Sequence, residues 1–375
     1  MNEEKVCGVI IGRIRDDLLS LSEDADSLLL PFAPSYRNID YVISSFLKAG
    51  IKNIILLISK KGRVEDYILK NWSETSIEIV DISNFDNELH FFIERLSQLR
   101  FERFLVVKGD NPVWIDLEDT KEILFQKDFV LVVRKNKSYR VGFSLGKKEF
   151  IYKFLSFINQ NRSVFTKNII DEWFKIQMPE MIEVKNEMFF DIGSLIDYYK
   201  FHTDMIENYV VLDSFNASVP LKPSNFANTR AFLDKGSYIK NSIVGNNVEL
   251  NGHIENSVIF SNVRIDKGAI IRNSLILPGN HIGSNTEINN TIIDEFRDDN
   301  TQPNIESHSI IGNGRAIRAN TKFPNILNFG VTLLGKDVRI PRGTKIGGNC
   351  YINSGTYYVI LKNIKKIEDG SFITN

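Results

Sequence analysis

Cysteine is almost missing: two in 375 residues, Cys7 and Cys350. A pair so far apart forms no disulfide framework and suits a reducing compartment. Cys7 falls in an apolar run and reads as a small core residue. The five histidines, His90, His202, His253, His281 and His308, keep no metal-ligand spacing. Neither sign of charge dominates, with Lys+Arg at 46, Asp+Glu at 47 and a net charge of -1. That balance gives no broad nucleic-acid or anionic-membrane surface, and Arg134–Arg140 reads as a solvated basic turn. No apolar run nears the roughly 18 residues of a membrane helix. The start, Met-Asn-Glu-Glu-Lys, has neither the basic end nor the apolar core of a secretory signal. The expectation is a cytoplasmic chain with no nucleic-acid and no membrane partner.

What is present is ordinary globular composition, 43% hydrophobic and 25% charged. The length allows two or more domains of roughly 100–200 residues, and the chain has two textures. In the first, Val6–Ile11, Ile54–Ile58 and Phe104–Val107 read as buried strands. Asp40–Ala49, Arg63–Trp72 and Glu88–Leu99 read as the helices between them, with Gly50 as a helix stop. Strands alternating with helices predict a mostly parallel, Rossmann-like sheet covered on both faces. Ligands bind such sheets beyond the carboxyl ends of the strands. Gly12 and Asp110, each just past a strand, therefore belong to one cleft mouth. Leu28-Leu29-Leu30 reads as buried packing or as part of an interface.

The second texture is a repeat. Asn241-Ser242-Ile243-Val244, Asn256-Ser257-Val258-Ile259, Asn273-Ser274-Leu275-Ile276 and Asn290-Thr291-Ile292-Ile293 follow each other at 15, 17 and 17 residues. A six-residue aliphatic step runs through Val248 and Ile254, through Ile259, Ile265 and Ile271, and through Ile276, Ile282 and Ile288. It returns at Leu334, Ile340, Ile346 and Ile352. One buried aliphatic every six residues is the hexapeptide signature of a parallel β-helix, with about 18 residues per triangular coil. A β-sandwich would alternate with period two, which these segments do not. The predicted boundaries are an α/β domain over 1–215 and a linker over 216–230, which carries Pro220 and Pro223. A β-helix over 231–375 follows, and Asp298–Asn328, with Pro303 and Pro324, is expected to loop out of it.

Pro31-Phe32-Ala33-Pro34-Ser35-Tyr36-Arg37-Asn38-Ile39-Asp40, continued by Ser44, Ala49-Gly50-Ile51 and Ile54, resembles the P-F-x-G-K-Y-R-x-I-D stretch of the ADP-glucose pyrophosphorylase (glucose-1-phosphate adenylyltransferase) family. Gly109-Asp110 matches its G-D, and Phe189-Phe190-Asp191-Ile192-Gly193-Ser194 resembles W-x-D-V-G-T. The resemblance implies a nucleotidyltransferase α/β domain followed by a left-handed parallel β-helix. It also implies a reaction of ATP with glucose 1-phosphate that gives ADP-glucose for glycogen or starch. Asp110 and Asp191 match the two carboxylates that hold Mg²⁺ in the family, and hard oxygen ligands suit that ion. Their plainer reading is a vestigial or turn-capping role. Arg37 matches an arginine linked to a sugar-phosphate effector, and its plainer reading is an ion pair with a carboxylate such as Asp40.

The departures fall on the chemistry. Against the family's G-G-R-G-x-R-L, the chain has Gly12-Arg13-Ile14-Arg15-Asp16-Asp17-Leu18. Gly12, Arg13 and Arg15 remain as a phosphate-loop remnant, while bulky side chains and two new carboxylates oppose a triphosphate. Ser27 stands at the lysine of A-K-P-A-V, and Asp86-Asn87-Glu88-Leu89-His90 is all that meets G-T-A-D-A. No E-K-P lies between Asp110 and Asp191, which are only 81 positions apart. Val141-Gly142-Phe143 and Ser163–Ile170 read as remnants of S-M-G-I-Y and D-F-G-x-D-I-I. This pattern resembles the non-catalytic GlgD-type subunit. It implies a chain inactive alone, partnered by a catalytic subunit in a heterotetramer, with a sugar-phosphate effector and Mg²⁺ only where the cleft takes a nucleotide. The alternative is an active nucleotidyltransferase with a rearranged phosphate loop.

Overall fold

The computed structural model describes residues 6–12, 15–23, 27–58, 62–81, 90–96, 98, 100–109, 129–135, 139–160, 173, 180–183, 192–207, 230–298, 302–312 and 318–375. The linker read at 216–230 lies outside these residues except for Arg230, as do Asp86–Leu89 and Ser163–Ile170.

Six consecutive residues of β1 (Val6–Ile11) are buried. Such a run suits a central strand, because helices cover both of its faces. Val6 and Ile10 enter one hydrophobic cluster, while Cys7, Val9 and Ile11 enter the other. A short ribbon, β2 (Pro31–Phe32) and β3 (Tyr36–Arg37), leads into α1 (Asn38–Lys48). Then come β4 (Asn53–Ile58), α2 (Arg63–Asn71), β5 (Ser76–Asp81), α3 (His90–Leu96) and β6 (Arg103–Lys108). The domain continues with β7 (Phe129–Lys135), β8 (Tyr139–Lys147), a helix at Lys148–Gln160, β9 (Glu180–Glu183) and a helix at Leu195–Glu207.

The seven main strands stand in the order β5-β4-β1-β6-β8-β7-β9. β1 pairs in parallel with both β4 and β6, so the order reverses at β1, and the crevice expected of such a sheet falls beyond its carboxyl end. β8, which carries Val141-Gly142-Phe143, is the one strand that runs against its neighbours. The sheet is thus mostly parallel, as the sequence predicts.

The repeat folds into three stacked parallel sheets of four, seven and seven strands. Each face carries one inward ladder. Leu233, Leu250, Ile265 and Ile282 form the first, extended through Ile305 to Ile340. Ile239, Ile254, Ile271, Ile288, Ile311, Ile346 and Ile367 form the second. Val244, Ile259, Ile276, Ile293, Leu334, Ile352 and Ile373 form the third. This is the architecture of a hexapeptide left-handed β-helix. Leu250, rather than the Val248 of the six-residue step, occupies the ladder position in its coil, although both are buried.

The Asn-Ser/Thr blocks have a physical cause. Asn241, Asn256, Asn273 and Asn290 turn the corners at φ of 45°, 48°, 47° and 43°. Asparagine tolerates this left-handed conformation better than other non-glycine residues. The following hydroxyls then pass from coil to coil. Ser257 N–H donates to Ser242 Oγ, Ser274 N–H to Ser257 Oγ and Thr291 N–H to Ser274 Oγ, each at 3.1 Å.

The expected excursion at Asp298–Asn328 is shorter than the sequence pattern implies. Ile305 bridges Ile282 and Ile340, and Ile310–Ile311 pairs with Glu287–Ile288, so two sides of that coil persist. The departure falls between Gly312 and the strand Thr332–Leu334. Its described part is anchored by Asn320, whose Nδ2 donates to Asn349 O at 3.0 Å and to Ser371 O at 3.1 Å.

The α/β domain packs on the third face of the β-helix. Leu18, Leu21, Leu30, Phe32, Tyr41, Leu195 and Tyr198 share one buried cluster with Val258, Phe260, Leu275, Ile292 and Leu333. Tyr198 OH ties the helix Leu195–Glu207 to Pro31 O at 2.7 Å, and Tyr199 OH reaches Asn273 O at 2.7 Å.

Candidate functional site

Of the segment that the sequence reads as a phosphate-loop remnant, Gly12 and Arg15 are described, just beyond the end of β1. Gly12 follows β1 and is buried, but its N–H donates to Leu57 O at 2.8 Å, extending the sheet ladder. Arg13 lies outside the described residues. Arg15 is extended, with φ -126° and ψ 112°, and only 8% exposed. Its NH1 donates to Ile192 O at 3.0 Å, and its NH2 donates to Gly193 O. Its Nε and NH2 also hold the two Asp17 oxygens at 3.0 and 2.6 Å. Arg15 is therefore bound to the chain itself, and Asp17, one of the two added acids, neutralises it.

Beyond Arg15 the chain makes a 3-10 segment, Asp16–Ser22, with Leu19 kinked at φ 51°. Leu18, Leu19, Ser20, Leu21 and Ser22 are all buried. A second 3-10 segment, Ser27–Leu29, is buried throughout. Ser27, at the family's lysine position, is fully buried, and its carbonyl accepts from Asn38 Nδ2 at 3.1 Å. Leu28 packs directly on Gly109 at the end of β6: a Cβ placed on Gly109 would lie 1.9 Å from Leu28 Cδ2. The leucine triplet is thus core packing at the strand ends, where a phosphate-binding site would need open backbone amides.

Asp110 and Asp191 lie outside the described residues, so their expected Mg²⁺ role belongs to the sequence reading alone. Among the described residues, no three His, Cys, Asp or Glu side chains are grouped to hold a metal ion. No described helix is long and apolar enough to cross a membrane.

Arg37 is placed with clarity. Its NH2 pairs with Glu295 Oε1 at 2.5 Å, and its NH1 donates to Leu29 O at 2.7 Å. The ion-pair reading of this residue fits, with a different partner. Asp40 instead accepts the Arg37 backbone N–H at 2.9 Å, Tyr67 OH at 2.8 Å and Trp72 Nε1–H at 2.9 Å. In this way Asp40 caps α1 and anchors α2. Burial pushes its carboxyl up, and those three donors only partly offset the shift.

Three further residues of this region escape a reading of local motifs: Asp294, Glu295 and Lys336. Lys336 Nζ lies 3.3 Å from Asp294 Oδ2 and donates to Ser20 O. Arg63 stands 3.6 Å from Glu295. Burial raises the Glu295 carboxyl, but Arg37 above all, with Arg63 and Lys336, outweighs it and holds the group below its ordinary value. Burial dominates at Asp294, with Glu295 as a like charge beside it, and its pKa goes up despite Lys336. A signal for them exists in the repeat. Where Asp294 stands, the neighbouring coils carry Gly245, Phe260, Leu277 and Gly335, so a buried acid there breaks the pattern.

A family model described as GlmU-like, C-terminal hexapeptide, matches residues 222–334. The chain is also similar to proteins named glucose-1-phosphate adenylyltransferase. With that of Acetivibrio thermocellus it is 26% identical over 189 residues, 50% of this chain and 43% of the relative. With that of Corynebacterium jeikeium it is 31% identical over 150 residues, 40% and 35% of the two chains. With that of Clostridium perfringens it is 22% identical over 333 residues, 75% and 86% of the two. The chain is thus similar to the glucose-1-phosphate adenylyltransferases. The match to the first of these relatives spans less than half of that relative's length. The match to the Clostridium perfringens relative takes in both the sheet domain and the β-helix.

Proposed function

We propose that this chain is a regulatory, catalytically degenerate subunit of a bacterial glucose-1-phosphate adenylyltransferase, the assembly that makes ADP-glucose for glycogen. The observation that carries this reading is the state of the crevice. Arg15 is held by the Ile192 and Gly193 carbonyls and by Asp17, and Leu28 fills the space over Gly109. Nucleotidyl transfer depends on positioning and on cations that stabilise the developing phosphate charge. A buried serine at the lysine position and a self-neutralised arginine supply neither.

The partner is a catalytic homologue, most naturally in a heterotetramer. Binding that favours the partner's competent conformation raises its active fraction without chemistry from this chain. The test is pyrophosphate release by the purified full chain with ATP, glucose 1-phosphate and Mg²⁺. Loss of one such electrostatic contact costs roughly 10²–10³ in rate, so turnover at least about 100-fold below that of a catalytic relative is expected. Turnover comparable to that relative would establish the active-transferase alternative instead.

A further inference from the structure

Asp294 and Glu295 are adjacent, almost completely buried and contributed by the β-helix. Asp294 engages Lys336, and Glu295 engages Arg37 with Arg63 at 3.6 Å; Lys336 and Arg37 each also donate to a backbone carbonyl of the segments that follow β1. Lys336 Nζ joins Asp294 to Ser20 O in the segment Asp16–Ser22. Arg37 joins Glu295, at 2.5 Å, to Leu29 O, at 2.7 Å, in the segment Ser27–Leu29. The arrangement is doubled, and at the Asp294 position the three preceding coils carry Gly245, Phe260 and Leu277 and the next carries Gly335. A solenoid needs no charge at that position, because its coils close through aliphatic stacking alone. Two buried acids there cost desolvation, which only well-placed cations offset.

We propose that Asp294 and Glu295 form a two-armed carboxylate clamp that fixes both crevice-edge segments to the β-helix through Lys336 and Arg37. The inference stands on these contacts and does not depend on the proposed role. The clamp makes the position of the crevice edge follow the β-helix rather than the sheet that carries it.

Amide hydrogen exchange on the full chain tests each arm separately. The reporters at the Lys336 arm are Leu18 N–H, bonded to Arg15 O, and Glu23 N–H, bonded to Ser20 O. At the Arg37 arm they are Leu30 N–H, bonded to Ser27 O, and Asn38 N–H, bonded to Leu30 O. Lys336→Met is expected to speed exchange at Leu18 and Glu23 by about tenfold, and Glu295→Gln to do the same at Leu30 and Asn38. Lys336→Arg, which keeps the charge, should restore most of the protection. His253, Ile270 and Glu287, whose amides bond within the β-helix ladder away from the clamp, should not change. A rise shared equally by His253, Ile270 and Glu287, or no rise at either arm, would overturn the clamp.

Discussion

Arg15 donates to the carbonyl of Ile192 at 3.0 Å, across 177 positions of sequence. The bond joins the segment after β1 to the start of the helix Leu195–Glu207, and Gly193 O takes a second bond from the same guanidinium. Replacing Arg15 with Met leaves buried carbonyls without a donor. Charge-assisted hydrogen bonds of this kind contribute about 1.5–3 kcal/mol, and a loss of that order is expected in denaturant unfolding. A variant as stable as the wild type would show that Arg15 is free to serve another partner.

Gly109 and Leu28 make a paired prediction. Gly109→Ala places a methyl 1.9 Å from Leu28 Cδ2 and 2.9 Å from Ile10 Cγ2. Overpacking of this kind costs about 1–3 kcal/mol. Adding Leu28→Ala should recover part of the loss, so that the two changes are less than additive in thermal unfolding. Full additivity would mean that the two side chains do not share that space.

His202 gives a pH dependence. It is fully buried among the rings of Phe32, Tyr198, Phe201 and Phe260. Burial lowers its pKa from 6.5 to about 4, against a raising contribution from the Tyr198 carbonyl. The folded state therefore prefers the neutral ring. The resulting stability is fully present above pH 6.5 and is lost as the pH falls toward 4, with a total of order 3 kcal/mol. Unfolding measured from pH 7 to 4 should fall less steeply for His202→Gln than for the wild type. Parallel curves would contradict the assignment.

The ladders give a further test. Ile282 and Ile346 are 0% and 2% exposed, whereas Ile310 is 37% exposed. Ile282→Asp or Ile346→Asp buries an unpaired charge and should destabilise the β-helix by roughly several kcal/mol. Ile310→Asp should cost far less. Equal melting temperatures for all three variants would refute the register.

The β-helix was legible because its signal is local and repeated. One aliphatic per side and a left-handed asparagine at the same corner of successive coils recur within 15 to 17 residues, as Asn241, Asn256, Asn273 and Asn290 do. The strands of the sheet were legible for a related reason, since a run such as Val6–Ile11 is buried on both faces. Val248 misled the six-residue count because two neighbouring apolar residues of that coil are both buried and only Leu250 stacks. The site was legible only in its losses. Arg37 stood out, but its partner Glu295 lies 258 positions away and reaches it only through the packing of two domains. No spacing rule encodes such a pairing. The same holds for Lys336, which meets Ser20 across 316 positions.

The most direct test of the proposed role is to mix this chain with a catalytic glucose-1-phosphate adenylyltransferase subunit at micromolar concentrations. Mass in solution and ADP-glucose turnover are then measured on the same sample. The account predicts a mixed species, together with a change in the partner's turnover or activator response that persists when this chain carries Arg15→Met. Two separate masses and unaltered partner kinetics would contradict it.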